Sequence, residues 1–323
     1  MIYRAIGASG IKLSLLGLGG HEYLPDGRLR GFQEDFPRAI TPGHIFPGFG
    51  QEQRRRVLKV AYDCGINFYD VTQDSEKEAL GRNLREMPPP FDVYVQTRPE
   101  GMMYDRDPGN RKMAEYASLK SEVERIVKLM RRERIDFLNL GITPDALRDA
   151  EYLARLRSTV ERLKKDGLIR FASADTFRGE AVYLSMIESG TFDTLFINLN
   201  VADDAGRLRV LPAARAAGMA AIAREAFLKG ELFKMGAEAG LTDRARLAEA
   251  ALRWLLAVPE VNSVVVGAAD PEQLARAADV VANPRARPED ASLLERLKAS
   301  PLLQSYAAQR RREFLESAPP ARI

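Results

Sequence analysis

The sequence predicts a single α/β domain, a closed parallel (β/α)8 barrel of the TIM type preceded by a β-hairpin. Three observations carry this. Eight short apolar runs recur along the chain, amphipathic helical patterns fill the intervals between them, and the length and hydrophobic content suit one large core. At 323 residues and 46% hydrophobic, the chain can bury one large core. One domain over 1–323 is therefore expected.

Residues 3–14 read as the hairpin, with Gly7, Ser9 and Gly10 supplying its turn. The apolar runs that follow are 15–19, 67–70, 93–97, 137–142, 169–174, 194–198, 220–224 and 263–267. Between them, segments such as 119–132 and 151–165 space their apolar residues three and four apart, the helical period. Eight strands each followed by a helix close into a barrel rather than an open sheet. Two segments depart from the alternation. Residues 20–51 are far longer than a usual strand-to-helix loop and carry Tyr23, Phe32, Phe36, Phe46, Phe49 and both histidines, His21 and His44. A loop after the first barrel strand lies over the C-terminal face, where barrel active sites sit, so it is read as a lid or as a stabilising flap. From 288 onward, one last helix and a frayed Pro/Ala/Arg end are expected.

Charge is near balance, 48 basic against 45 acidic residues, which gives no reason to infer a nucleic-acid partner. The single Cys64 permits no intrachain disulfide and fits a reducing, cytoplasmic setting. No apolar run approaches membrane-spanning length. With two histidines and one cysteine, no metal site is expected.

The run Gly65-Ile66-Asn67-Phe68-Tyr69-Asp70 reads as a buried strand ending in an acid. It resembles the G-I-N-x-[FY]-D-T-A strand of the aldo-keto reductases. The opening Tyr3-Arg4-Ala5-Ile6-Gly7-Ala8-Ser9-Gly10-Ile11, the segment Lys164-Lys165-Asp166-Gly167-Leu168-Ile169-Arg170, and the ending Val264-Val265-Val266-Gly267 with Asp270-Pro271-Glu272-Gln273-Leu274 resemble that family's pieces in the family's order. The resemblance implies the barrel, the oxidoreductase class, and NADPH-dependent carbonyl reduction. In that reaction a tyrosine gives the proton, a lysine and an aspartate assist, and a histidine orients the carbonyl.

The chain reads as a divergent member with a degraded tetrad. Asp70 matches the aspartate, and Arg98 stands at the lysine, keeping charge without the ammonium's geometry. Ser75 falls at the tyrosine in an ungapped count; otherwise the turn is deleted. Serine is too weak an acid to replace a phenol unaided. Thr143 or Pro144 takes the histidine's place. Asp70 and Arg98 are thus the catalytic candidates, and a buried Asp70–Arg98 ion pair is the alternative.

At the cofactor positions, Asp175-Thr176 follows the fifth strand where the resemblance implies Ser-Asn. Phe196 replaces a glutamine, Arg224-Glu225-Ala226-Phe227 the Y-S-P-L stretch with the nicotinamide-stacking aromatic, Ala269 the 2′-phosphate arginine, and Ala277 an asparagine. Gly267, Glu272, Gln273 and Arg276 remain as cofactor-binding candidates. NADP is the cofactor that the resemblance implies, and these departures argue against its binding in the family's way. His21, Glu100, Tyr104, Asp175, Asn200, Arg224 and Glu225 are candidate ligand-binding residues. Two arginines at one mouth suit an anionic small molecule held bidentately, or an internal salt-bridge network that binds nothing. Three readings follow: an oxidoreductase with a modified site, a non-reducing barrel acting on or binding an anionic small molecule, and a regulatory or structural relative without catalysis.

Overall fold

The structure is a computed structural model and describes residues 1–103 and 106–316. Eight parallel strands form a closed barrel: β3 (Leu16–Gly19), β4 (Phe68–Asp70), β5 (Tyr94–Thr97), β6 (Ile135–Gly141), β7 (Ile169–Asp175), β8 (Thr194–Asn198), β9 (Ala220–Arg224) and β10 (Val261–Val266), with β10 closing on β3. Before them, β1 (Tyr3–Ala5) and β2 (Lys12–Ser14) pair antiparallel. The expected architecture, hairpin and eight barrel strands are all present. β6 starts earlier than its apolar run because Asp136, which interrupts the pattern, is neutralised by Arg132 at 2.8 Å and accepts the Val95 N–H at 3.0 Å.

Side chains alternate across each strand, so the inward set can be followed from floor to mouth. Phe68, Phe137, Phe171, Phe196, Ile222 and Val265 pack inside the barrel against Ile6, Ile11 and Leu13 of the hairpin. The hairpin therefore plugs the N-terminal end. It is stitched there by Asn67, whose Oδ1 accepts the Ser14 N–H and whose Nδ2 donates to the Lys12 carbonyl. Each fully buried phenylalanine contributes about 1.5–3 kcal/mol. Two residues further along the same strands, the inward positions become polar: Asp70, Asn139, Ser173, Asn198 and Arg224. The interior thus passes from an apolar floor to a polar mouth.

The helices bury one stripe each against the outside of the barrel. α1 (Phe36–Ala39) is a single turn within the long loop, α2 (Glu52–Asp63) buries Val57, Leu58 and Ala61, and α3 (Asp74–Glu86) follows Asp70 after three residues. Gly81 of α3 faces the Met130 carbonyl so closely that a Cβ there would lie 2.2 Å from the oxygen. α4 (Arg111–Ala114), α5 (Tyr116–Leu129) and α6 (Tyr152–Lys165) flank β6, and α7 (Glu180–Glu188), α8 (Val210–Ala216) and α9 (Glu231–Glu238) follow the next three strands. α10 (Arg244–Leu256) and α11 (Pro271–Ala282) flank β10.

The end of the chain differs from the expected single helix. Two helices form, α12 (Pro288–Lys298) and α13 (Pro301–Glu316). Pro301 has no N–H to continue α12, but its fixed φ suits a helix's first turn, and Ser300 Oγ accepts the Leu303 N–H. The tail beyond 316 lies outside the described residues. Among the described residues, no helix is long and apolar enough to cross a membrane.

Candidate active site

Asp70 ends β4 at the mouth, and Gln96 of the neighbouring strand donates to its Oδ1 at 3.0 Å. Burial pushes this carboxyl up to about 6; the Gln96 hydrogen bond and the nearby His21 and Arg224 only partly offset that. Arg98 turns to Glu100, Nε to Oε1 at 3.4 Å. Glu100 lies in turn 3.7 Å from the buried ammonium of Lys77. Burial holds the Glu100 carboxyl above its usual range.

The start of α3 provides the groups that the sequence reading overlooked. Burial alone would raise the Glu76 carboxyl. Against this, its Oε1 meets His21 Nδ1 at 2.7 Å and accepts Gln73 Nε2 at 3.0 Å, while Oε2 accepts the Thr72 N–H at 2.7 Å. These partners hold it down at about 2. Burial opposes the His21 imidazolium, and the Glu76 carboxylate more than compensates, raising the ring above its ordinary value. The His21 side chain keeps 37% exposure. Gly20 positions it: the Gly20 N–H donates to the Asp70 carbonyl at 2.5 Å. A Cβ at Gly20 would lie 2.7–3.0 Å from Val71, that carbonyl and Glu76. Glu76 directly follows Ser75, the residue that an ungapped count puts at the tyrosine's position, and that was the available signal.

Ser75, at the expected tyrosine position, accepts the Phe46 N–H at 2.9 Å. Asp74 accepts the Gly43 N–H at 2.7 Å and neutralises both Lys77 and Arg125. Gln73 donates to the Arg30 carbonyl, and Glu22 near one end of the loop accepts the Gly50 N–H near the other. The loop over 20–51 is thus pinned across the start of α3. Thr143, at the histidine's place, donates from both N and Oγ1 to Asn110.

The opposite half of the mouth is occupied by paired groups. Arg224 meets Asp175 at 2.7 Å and Asn198 at 2.6 Å, and its guanidinium lies 4.0 and 4.5 Å from the Phe177 and Phe196 ring centroids. Asn200 closes its own loop, accepting the Ala202 and Asp203 N–H groups and donating to the Glu225 carbonyl. Glu225 has a left-handed φ of 59° and pairs with Lys229 at 3.1 Å. Tyr104 lies outside the described residues. The structure therefore gathers His21, Asp70, Arg98 and Glu100 around the start of α3. Asp175 and Arg224 pair on the other side of the mouth, where Arg224 still acts on Asp70.

The expected NADP contacts meet specific obstacles. A helix N-terminus binds phosphate through exposed N–H groups and its positive dipole end. At the start of α11, Asp270 Oδ1 accepts the Gln273 N–H at 2.8 Å, and Gln273 Oε1 takes the Ala269 N–H at 3.1 Å. Asp270 thus caps the start of α11 with its own carboxylate. Gly267 faces Tyr23, whose hydroxyl is 2.4 Å from where a Cβ would be. Glu272 and Arg276 are exposed on α11. Among the described residues, no cluster of metal-ligating side chains occurs.

No curated protein matches the sequence. The fold is similar to that of a glycerol dehydrogenase from Gluconobacter oxydans, with TM-score 0.66 and 18% identity over 92% of this chain and 95% of that one. It is also similar to an aldo-keto reductase from Bacillus halodurans in its holo form, with TM-score 0.68 and 19% identity over 92% and 96% of the two chains. Residues 47–240, more than half the chain, match the aldo/keto reductase family. The chain belongs to the aldo/keto reductase family.

Proposed function

We propose that this barrel keeps the family's mouth for a small carbonyl compound but does not run its tyrosine-dependent, NADPH-driven reduction. Membership of the family implies the oxidoreductase class. Against ordinary turnover, the observation that carries the reading is the start of α11, where Asp270 occupies the anion position with its own carboxylate. Tyr23 against Gly267 and Arg224 clamped by Asp175 point the same way, because each fills a place that the family gives to cofactor. The residues present do not fit the dinucleotide in the family's pose.

What remains at the mouth is acid–base equipment: the Asp70 carboxyl, pushed up to about 6 by burial, beside an imidazole held by Glu76. Arg98 and Arg224 are engaged by Glu100 and Asp175, which favours an internally compensated mouth over an anion clamp. The test is an assay of NADPH oxidation with nitrobenzaldehyde and related aldehydes. No turnover above a no-enzyme control is expected. Saturable turnover abolished by Asp70→Asn would establish a modified reductase instead.

A further inference from the structure

We infer that Asp70, His21 and Glu76 form an acid–base site that enolises a small α-hydroxy carbonyl compound, interconverting aldehyde and ketone by proton transfer alone. This rests on the reading that the mouth does without nicotinamide, because a proton shift needs no redox partner.

The geometry comes first. His21 is fixed one residue beyond the Gly20 N–H that bonds the Asp70 carbonyl, and its Nδ1 is held by Glu76 at 2.7 Å. Glu76 is itself tied to the Thr72 N–H, two residues past Asp70. The adjoining ends of β3 and β4 therefore carry the acid and the base, and the start of α3 carries the group that orients the acid. With Nδ1 committed to Glu76, Nε2 is the ring nitrogen left to face a substrate. Phe32 closes one side of the imidazole, edge to face at 5.4 Å.

Beneath this turn the barrel interior supplies acceptors. Gln96 donates its amide nitrogen to Asp70, which fixes its Oε1 as an acceptor, and that oxygen is buried without a protein partner among the described residues. Asn139 Oδ1 and Ser173 Oγ, on the inward faces of the next two strands, are likewise buried and unpartnered. Buried polar atoms are normally satisfied, so a ligand or water bringing hydroxyl donors is called for. A water meets that need, and so does a substrate hydroxyl beside the reacting carbonyl, which an α-hydroxy aldehyde or ketone brings.

In the step, a carboxylate oxygen of Asp70 takes the proton from the hydroxyl-bearing carbon. The C–H pair becomes the C=C bond, and the carbonyl oxygen takes the proton of His21 Nε2, giving an enediol. In reverse, Asp70 returns its proton to the adjoining carbon while His21 recovers one from the other hydroxyl. No electrons leave the substrate. Two groups with separated proton affinities can divide acid and base roles in this way. The charged groups acting on His21 are Glu76, Asp70 and Arg98; those acting on Asp70 are His21, Arg224 and Glu76.

The test incubates the full chain with dihydroxyacetone or glyceraldehyde in D2O and follows deuterium entry and aldehyde–ketone conversion by NMR. Exchange well above a buffer control is expected. Asp70→Asn and His21→Gln should each lower it about 100-fold, with circular dichroism confirming folded protein. Glu76 acts as a positioning residue: Glu76→Gln should move the alkaline limb of the pH profile to lower pH, because His21 loses the carboxylate that favours its protonated form. No exchange above buffer, or exchange that survives both substitutions at the acid and base, would overturn the inference. A parallel run with NADPH separates the two readings: nicotinamide oxidation would refute the non-reducing mouth, whereas the deuterium result judges the enolisation by itself.

Discussion

The two halves of the barrel mouth treat buried charge in opposite ways. Across β7 to β10, ionic groups are matched partner to partner: Arg224 with Asp175 and Asn198, and Asp270 with the helix end it caps. Around β4 and α3, matching is deliberately uneven. Glu76 collects three donors and is held at about 2, whereas Asp70 receives one and is pushed up to about 6. Both are carboxyls near the same turn, so the count of donors decides which stays ionised and which is poised to exchange a proton. On the proposed reading, such a mouth keeps a titratable centre on one side while the groups on the other side satisfy each other.

The largest expected effect breaks the sealed half. Arg224→Ala leaves Asp175 buried without its guanidinium and should cost about 3–5 kcal/mol in urea unfolding. Replacing both residues by leucine should recover most of that loss, because a buried pair can be exchanged for apolar packing. If Arg224→Ala alone is nearly neutral, the clamp is not structural and the arginine is free for a ligand.

The two carboxyls of the other half should give mirror-image pH dependences. The folded-state value of Glu76 lies below its unfolded one. Its contribution is therefore present at neutral pH and lost as pH falls from above 4 toward 2, and Glu76→Gln should cost about 3 kcal/mol at pH 7. Asp70 has the opposite sign. Its folded value is raised, so stability is full below the unfolded value near 4 and lost as pH rises through about 6. Asp70→Asn should accordingly stabilise the fold at pH 8 by about 2–3 kcal/mol, a gain that vanishes near pH 4. Parallel shifts in both variants would dissolve the contrast between these groups.

The smallest effect sharpens the contrast at the loop. Ser75→Ala removes one hydrogen bond to the Phe46 N–H and should cost about 1 kcal/mol. Hydrogen exchange should rise in the loop around residue 46 and not in the barrel strands.

Much of this was legible in the sequence. Short apolar runs mark the eight strands and period-3.6 patterns their helices, and the run ending in Asp70 places that acid at a strand's C-terminal end. Arg98, Asp175 and Arg224 were legible as mouth residues for the same reason. Their partners were not, because side-chain direction decides them: Arg98 turns to Glu100, and Asp70 takes a hydrogen bond from the neutral Gln96. Glu76 sits at the start of α3, where the sequence reading looked only for the tyrosine. Only the return of the long loop brings His21 onto it and buries Glu76. Asn200 illustrates the opposite error, since a polar residue just past a strand end serves its own turn.

The most direct test of the sealed cofactor half is a calorimetric titration of the protein with NADPH and with NADH. The account predicts no saturable heat for either nucleotide, because phosphate would have to displace the Asp270 cap and Tyr23. Saturable binding at micromolar concentrations would contradict it and return the chain to nicotinamide-dependent chemistry.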